Sequence, residues 1–448
     1  MAGSPAKIAI IGSGQIGTSL ALAMNEKMPE TLVTAFDNDP AVAAELANVL
    51  KDGNAAAVTI AATLADAVRD ADIIILATPI DRFGDVLRES RADLKQGAVI
   101  TDVGSGKQKA IAQIMAALPH GTSYVPAHPA NGKAGKGPKT ADKNMFTAQA
   151  VIVVAEEGSR DPAAVEAVEN VWQRLGANVK HMSAVQHDIL YGTISHFEHV
   201  IAFSSVMNGA DGMKPAADYM TAGNQLLALT RIADASPDMW APVFRDNKDA
   251  IMSAARNFKT ILKDLTDKLS PEKQDEFLRL AQKAHDFRKP IPDRKRESIT
   301  GDIADFIKTN LPCDKKTLSG IFNHHSNELA RTVALPALLG IAIALNARDA
   351  EERLDGIKIA AVANPSFKDG SAPALSDPAF MTGFLVENRD ALMKAAGHFE
   401  KNFDRLVQTI EDGDEAYIRQ TVETVRDLRK QMPPARTEQD MRAKHIIT

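Results

Sequence analysis

Three groups of residues in this 448-residue chain have the types and spacing to carry out an oxidation. Gly12-Ser13-Gly14-Gln15-Ile16-Gly17 is a glycine loop of the kind that receives a dinucleotide pyrophosphate. His128, in His128-Pro129-Ala130-Asn131-Gly132, carries an imidazole whose unperturbed pKa near ~6.5 lets it take a proton at neutral pH. Arg231, in the string TRIADASPDMW, offers a planar cation that a carboxylate can meet with two hydrogen bonds. A hydride acceptor, a base and an anion anchor are what oxidation of a carboxylated alcohol by a nicotinamide cofactor requires.

The glycine loop closes a first apolar strand and opens a helix. Gly12 permits the tight turn, Gly14 lets the backbone approach the pyrophosphate, and Gly17 lets helix and strand pack closely. The helix N-terminus, beginning with Gln15 and Ile16, then turns its unpaired N–H groups toward the phosphates. Asp37 ends the second strand, where an acid accepts from the adenine ribose hydroxyls and repels a 2′-phosphate, so NAD is expected over NADP. Thr78, Pro79 and Asp102 end later strands and are assigned to the cofactor side. Ser105 and Lys107 follow in Asp102-Val103-Gly104-Ser105-Gly106-Lys107, on the edge where ligands bind in open α/β sheets. Ser105 is singled out there as a candidate for the chemical site, with a helix-capping role compatible, and Lys107 as a substrate contact.

His187, His196 and His199 crowd one helical stretch, HDILYGTISHFEHVIAF. His196 and His199 share a helical face, yet no cysteine or carboxylate cluster accompanies them, so no metal site is expected. Substrate contact is assigned to His196. Arg231 lies in an apolar segment, LLALTRIA, and must find an anion, either in an ion pair or on a substrate. Trp240 follows closely and either walls a pocket or fills the core.

These groups need elements to hold them. KIAIIG, TLVTAFD, ADIIILATP, GAVITDVGS and AVIVVAE read as buried strands separated by helical patterns, which predicts a doubly wound, mostly parallel sheet. Beyond about residue 183 the pattern is helical, over 184–209, 216–235, 238–265 and 271–288. Ser236 is placed as an N-cap before Pro237. The expected organisation is an α/β Rossmann domain (1–182), a helical domain (183–288), a linker (289–320), a second helical block (321–432) and a tail (433–448). That second block repeats the first: PDMWAPVFRDNKDAIMSAARNF (237–258) matches PAFMTGFLVENRDALMKAAGHF (378–399) without a gap. Ala372 stands at the position of Arg231, and no histidine matches His196. A packing unit that keeps its shape and loses its chemistry predicts a pseudo-dimer within one chain; a homodimer is the other possibility.

Net charge is −6 and no basic stripe dominates, which argues against a nucleic-acid partner. The basic run RKPIPDRKRES reads as a solvated linker. A single cysteine, Cys313, rules out an internal disulfide framework. The apolar stretch TVALPALLGIAIAL (332–345) contains Pro336 and is shorter than a membrane span. MAGSPAKIAIIG lacks the form of a secretory leader. No membrane association and a cytoplasmic location are expected.

Taken together, GSGQIG, DVGSGK, HPANG with GPKTADKNMF, the His187-Asp188 pair, SHFEH and TRIADASPDMW resemble the prephenate dehydrogenase family, with its arogenate and cyclohexadienyl members. The resemblance covers roughly residues 6–288. It implies a Rossmann domain followed by a helical, usually dimer-forming domain. It also implies NAD(P)-dependent oxidative decarboxylation of a small dicarboxylate, prephenate or arogenate. By position, His128 matches the catalytic histidine on the ring hydroxyl, and Ser105 the serine linking it to the nicotinamide. His196 matches the substrate-side histidine of the SHxPH string, and Arg231 the carboxylate anchor with Trp240 near it. The chain departs from the family where HPMAG reads HPANG (Asn131), where Glu198 replaces a proline, and where AGNQLLAL lacks the usual acid before the arginine. The resemblance also implies that His128, Ser105 and Arg231, drawn from two lobes, converge on one substrate.

Overall fold

The computed structural model describes residues 6–53, 55, 57–130, 137–154, 161–210, 224–292 and 330–432. The expectations for Asn131, Gly132, Cys313, the linker core and the tail fall outside them. The chain divides into two compact units, Met1–Ile189 and Leu190–Thr448. The division falls seven residues beyond the expected position at 182.

The first unit is built on a six-stranded parallel sheet. Its strands are β1 (Lys7–Ile11), β2 (Leu32–Phe36), β3 (Val58–Ile60), β4 (Ile73–Leu76), β5 (Val99–Asp102) and β6 (Ser123–Val125), in spatial order β3-β2-β1-β4-β5-β6. The order reverses beside β1, and that is where a doubly wound sheet opens a ligand crevice. The apolar runs exist because both faces are covered. Ile8 and Ile10 of β1 join Ile73 and Ile75 of β4 in one buried cluster, while Ala9, Ile11, Ile74 and Leu76 join the cluster on the opposite face. Each such isoleucine contributes roughly 1.5–3 kcal/mol by leaving water. The helices of this unit are α1 (Gln15–Lys27), α2 (Pro40–Asp52), α3 (Leu64–Val68), α4 (Phe83–Ser90), α5 (Lys107–Ala117), α6 (Pro162–Arg174) and α7 (Ala184–Tyr191), the last running across the division.

One strand is placed differently from its expectation. The AVIVV segment forms β8 (Ala150–Val153) of a separate three-stranded sheet, antiparallel to β7 (Ala127–Pro129) and parallel to β9 (Asn178–His181). Burial makes such a strand apolar, but does not say which sheet it joins.

The second unit is helical. A π turn (Gly192–His196) leads into α8 (Phe197–Ala210), followed by α9 (Asn224–Leu229), α10 (Pro237–Asp246), α11 (Lys248–Asp267) and α12 (Gln274–Arg288). A second π turn (Ala330–Ala334) leads into α13 (Leu335–Glu351), then α14 (Pro365–Gly370), α15 (Pro378–Glu387), α16 (Arg389–Asp412) and α17 (Glu415–Gln431). The single helix expected over 238–265 is two, broken at Asn247, and the Asn388 break between α15 and α16 repeats it. Ser236 occupies the N-cap of α10 but its side chain makes no capping bond. The packing is reciprocal. Helix α8 meets α16 as α13 meets α11, and α10 meets α17 as α15 meets α12, while α9 meets its own counterpart α14. The apolar stretch 332–345 lies within a 22-residue helix, Ala330–Glu351, that by length and composition alone could cross a membrane. It is instead almost wholly buried inside this unit as a core helix.

Candidate active site

The glycine loop has the shape of a phosphate cradle. Gly12 has φ +101°, and a Cβ there would lie 2.7 Å from the backbone of Ala77 and Thr78. A Cβ on Gly17 would lie 1.9 Å from the Gly12 carbonyl oxygen, closer than any real contact, so helix and strand meet only through glycine. Gly14 has nothing within 4 Å of its would-be Cβ, which leaves an open face above the loop. Asp37 ties this arrangement to β2: its Oδ2 accepts from the Ser13 N–H at 2.7 Å and its Oδ1 from the Asp39 N–H at 3.0 Å. Gln15, at the start of α1, donates to Thr140 Oγ1 at 2.9 Å. Ile16 packs its side chain against the apolar cluster on one face of the sheet. Thr78 and Pro79 follow β4 at the carboxyl edge, where Pro79 caps a short 3₁₀ turn (Ile80–Arg82). These residues fit a dinucleotide. Gly17→Ala is expected to lower the melting temperature by about 4 °C or more, the scale of an overpacking penalty. Gly14→Ala, facing open space, should leave melting unchanged while weakening NAD; thermal melts with and without NAD measure both.

Two assignments on β5 and α5 are corrected. Lys107 is fully buried. Its ammonium donates to Asp102 Oδ1 at 2.5 Å and to the Ala127 carbonyl at 2.6 Å, so it braces β5 against β7 and does not contact substrate. Asp102 is equally buried; it also accepts from the Gly104 N–H at 2.7 Å and the Tyr124 hydroxyl at 2.7 Å, leaving nothing for a cofactor. Burial, and then the charge of Asp102, push the Tyr124 phenol well above its usual range, so it remains a donor. Ser105 is half-buried just before Gly106, the N-cap of α5, and its hydroxyl makes no hydrogen bond among the described residues. The capping role therefore does not occur.

His128 sits in β7 and belongs to a chain of hydrogen bonds that sequence reasoning did not assemble. Its Nδ1 lies 2.8 Å from His187 Nε2, and His187 Nδ1 lies 2.8 Å from Asp188 Oδ1. Asp188 in turn accepts from the backbone N–H groups of Lys107 (2.8 Å) and Gln108 (3.0 Å) at the start of α5. Burial would raise the Asp188 pKa. The hydrogen bond and charge of His187 and the two backbone donors outweigh it and hold the carboxyl at about 2. Burial lowers the His187 pKa, against the pull of Asp188, and keeps that ring neutral. The tautomers follow by assignment. Ionised Asp188 accepts the His187 Nδ1 proton, so His187 Nε2 accepts from His128 Nδ1. His128 Nε2 is then the unprotonated nitrogen, a base held in one orientation.

In the second unit, His196 ends the π turn, and its Nδ1 accepts from the Asn247 side-chain amide at 2.8 Å. Its neutral form therefore carries the proton on Nε2, a donor suited to a carboxylate or carbonyl oxygen. Trp240 stacks on His199 at 3.3 Å between ring centroids and meets His196 edge-on at 5.9 Å. Burial depresses His199 to about 3, and its Nδ1 donates to the Ser195 carbonyl, so it is a neutral packing group. Arg231 lies beyond the end of α9, in a 3₁₀ turn (Arg231–Ala233), and its side chain is 29% exposed rather than buried. Its Nε and Nη2 both reach Asp369 Oδ2, at 2.6 and 2.5 Å. Glu198 is buried, its Oε1 without a partner among the described residues, and burial, with the nearby Asp369 charge, pushes its pKa well up, so it is a neutral acid.

Comparison with known proteins gives this geometry a family. Residues 20–181 match the family model described as prephenate dehydrogenase, nucleotide-binding domain. Residues 183–283 and 322–424 match the model described as prephenate dehydrogenase, dimerization domain. The second match extends the resemblance past residue 288, where the motifs alone had ended it. The chain is 29% identical over 297 residues to a prephenate dehydrogenase of Bacillus subtilis, covering 65% of this chain and 78% of that one. It is 32% identical over 269 residues to that of Lactococcus lactis subsp. cremoris, covering 59% and 71%. Among solved structures, the prephenate dehydrogenase of A. aeolicus in complex with hydroxyphenyl propionate and NAD+ superposes with a TM-score of 0.58. That match has 24% identity and covers 65% of this chain and all of that one. The chain belongs to the prephenate dehydrogenase family, and is an NAD-dependent oxidoreductase.

Proposed function

We propose that the protein oxidises and decarboxylates prephenate to 4-hydroxyphenylpyruvate and CO2, in the cytoplasm, as a step toward tyrosine. The observation that carries this reading is the Asp188–His187–His128 chain, which leaves one imidazole nitrogen as an oriented base on the unit that holds the glycine cradle. A bound NAD, held by the Gly12–Gly17 loop beside Asp37, would supply the hydride acceptor for the ring carbon that bears the hydroxyl. His128 Nε2 takes the hydroxyl proton as that carbon becomes a carbonyl-like centre. The positive charge that develops on His128 is stabilised through His187 by ionised Asp188. Loss of CO2 from the para carbon leaves its bonding pair to make the ring aromatic, and the phenolate oxygen so formed takes the proton back from His128 Nε2, so no further acid is required from the protein. What remains is orientation. Ser105, whose hydroxyl has no hydrogen-bond partner among the described residues, is assigned to the reacting oxygen, and His196 Nε2–H and Arg231 to the substrate's carboxylates.

Arogenate differs from prephenate by an amino group in place of the side-chain carbonyl. Absorbance at 340 nm with each compound and NAD tests the reading; no NADH from either overturns it. Arg231→Ala is expected to raise KM for prephenate by ~10–100-fold with a smaller change in kcat, since a charge-assisted contact to a carboxylate serves ground and transition states alike. Steady-state kinetics at saturating NAD measure the split.

A further inference from the structure

We propose that the second helical block, residues 330–432, is a built-in partner for the first, and that its Asp369 is the positioning residue that orients Arg231 for a substrate carboxylate. The inference rests on the functional reading above for what Arg231 binds.

The two blocks correspond residue by residue. A shift of 141 places Pro237 on Pro378, Asn247 on Asn388, Thr230 on Ser371 and Arg288 on Arg429. A shift of 138 places the first π turn on the second, and buried Asn208 on buried Asn346. The contacts obey the same correspondence. Arg288 Nε donates to Ser371 Oγ at 3.0 Å, and Arg429 Nε donates to the Thr230 carbonyl at 3.1 Å. Each terminal-helix arginine thus reaches the equivalent turn of the other block. This reciprocity, with α9 against α14 on the axis, is that of an isologous two-fold contact.

The chemistry, unlike the packing, is not shared. The positions matching His196, His199 and Arg231 are Ala334, Ala337 and Ala372. Conversely, the position matching Asp369 in the first block is Ala228. The arginine survives in one copy and the acid in the other, and the two meet. A symmetric pair would hold two such ion pairs; this chain has one arrangement, made from both halves.

The pair has a directional consequence. With Nε and Nη2 both turned to one carboxylate oxygen, the guanidinium plane is set and its Nη1 edge remains for an incoming anion. An arginine carries considerable rotamer freedom, and fixing it beforehand removes that cost from substrate binding. Arg429 stands near enough for its own charge to feel Arg231. Without Asp369 the two cations repel, and Asp234 is the acid whose charge still favours Arg429.

The test uses the full chain with prephenate and NAD. Asp369→Asn should raise KM for prephenate by ~10-fold, with kcat within about threefold and KM for NAD within about twofold of wild type. Asp369→Glu, which keeps the charge, should remain within about threefold in all three. In an Arg231→Lys background, Asp369→Asn should add less than about twofold, because the fork it orients is gone. Light scattering should give a single-chain mass, with specific activity independent of dilution. An unchanged or lowered KM in folded Asp369→Asn overturns the positioning role. If that variant does not fold, an Asp369→Glu KM raised as far as that of Arg231→Ala overturns it. An active species that is a dimer and loses activity on dilution overturns the built-in partner. A wild-type enzyme inert toward both prephenate and arogenate overturns the functional reading instead, and is visible before any variant is compared.

Discussion

His128→Asn is expected to lower kcat with prephenate by ~10²–10⁴-fold while leaving KM for prephenate and NAD within a fewfold of wild type. Asparagine keeps a polar side chain beside His187 Nε2, so the local hydrogen bonding survives. What it lacks is a nitrogen that can take a proton as hydride departs. The loss therefore falls on the transition state and not on the bound substrate, and single-turnover NADH formation at 340 nm should slow by the same factor as kcat. An equal rise in KM with unchanged kcat would place His128 in binding instead.

Asp188→Asn should cost a comparable ~10²–10⁴-fold in kcat, although Asp188 contacts no reacting atom. The carboxylate dictates the tautomers of both imidazoles and supplies the charge that offsets a protonated His128. An amide of the same shape can turn its NH2 toward His187 Nδ1, which reverses the proton order and leaves His128 Nε2 protonated. The sign of the pH effect follows from the same geometry. With its folded pKa held near 2 against about 3.9 unfolded, Asp188 contributes stability above about pH 4, lost as pH falls toward 2. His187, whose pKa is lowered by burial, also favours the folded state at neutral pH and withdraws that support in acid. The wild type should therefore melt at lower temperature as pH drops below about 6, and Asp188→Asn should lose the part of that dependence below about pH 4. Kinetics at pH 7.5 with melts across pH 3–8 would show both.

Local features of the chain were legible before the fold was known. The glycine loop, the apolar strands β1, β4 and β5, and the helical second half each declare themselves within a short window. His128 was identifiable because a histidine follows a strand in a dinucleotide-binding pattern. What could not be read was set by distant contacts. His128 and His187 are 59 residues apart, and nothing in the His187-Asp188 dipeptide says which imidazole it faces. Lys107 and Asp102 lie on the correct sheet edge by sequence, yet they neutralise each other in the interior. The AVIVV strand is as apolar as its neighbours but pairs in a second sheet. Asp369 lies 138 residues from Arg231. The repeat register would have set it opposite Ala228, a signal that was present once both copies were aligned.

The proposed catalysis turns on His128 acting as an unprotonated base primed through His187 by Asp188. The most direct test is the pH dependence of kcat/KM for prephenate, followed as NADH formation, in wild type, His128→Asn and Asp188→Asn. The expected wild-type profile falls on the acid side of neutrality as the base becomes protonated. The limb should vanish in His128→Asn and shift in Asp188→Asn. An acid limb unchanged in position and slope in both variants would contradict it.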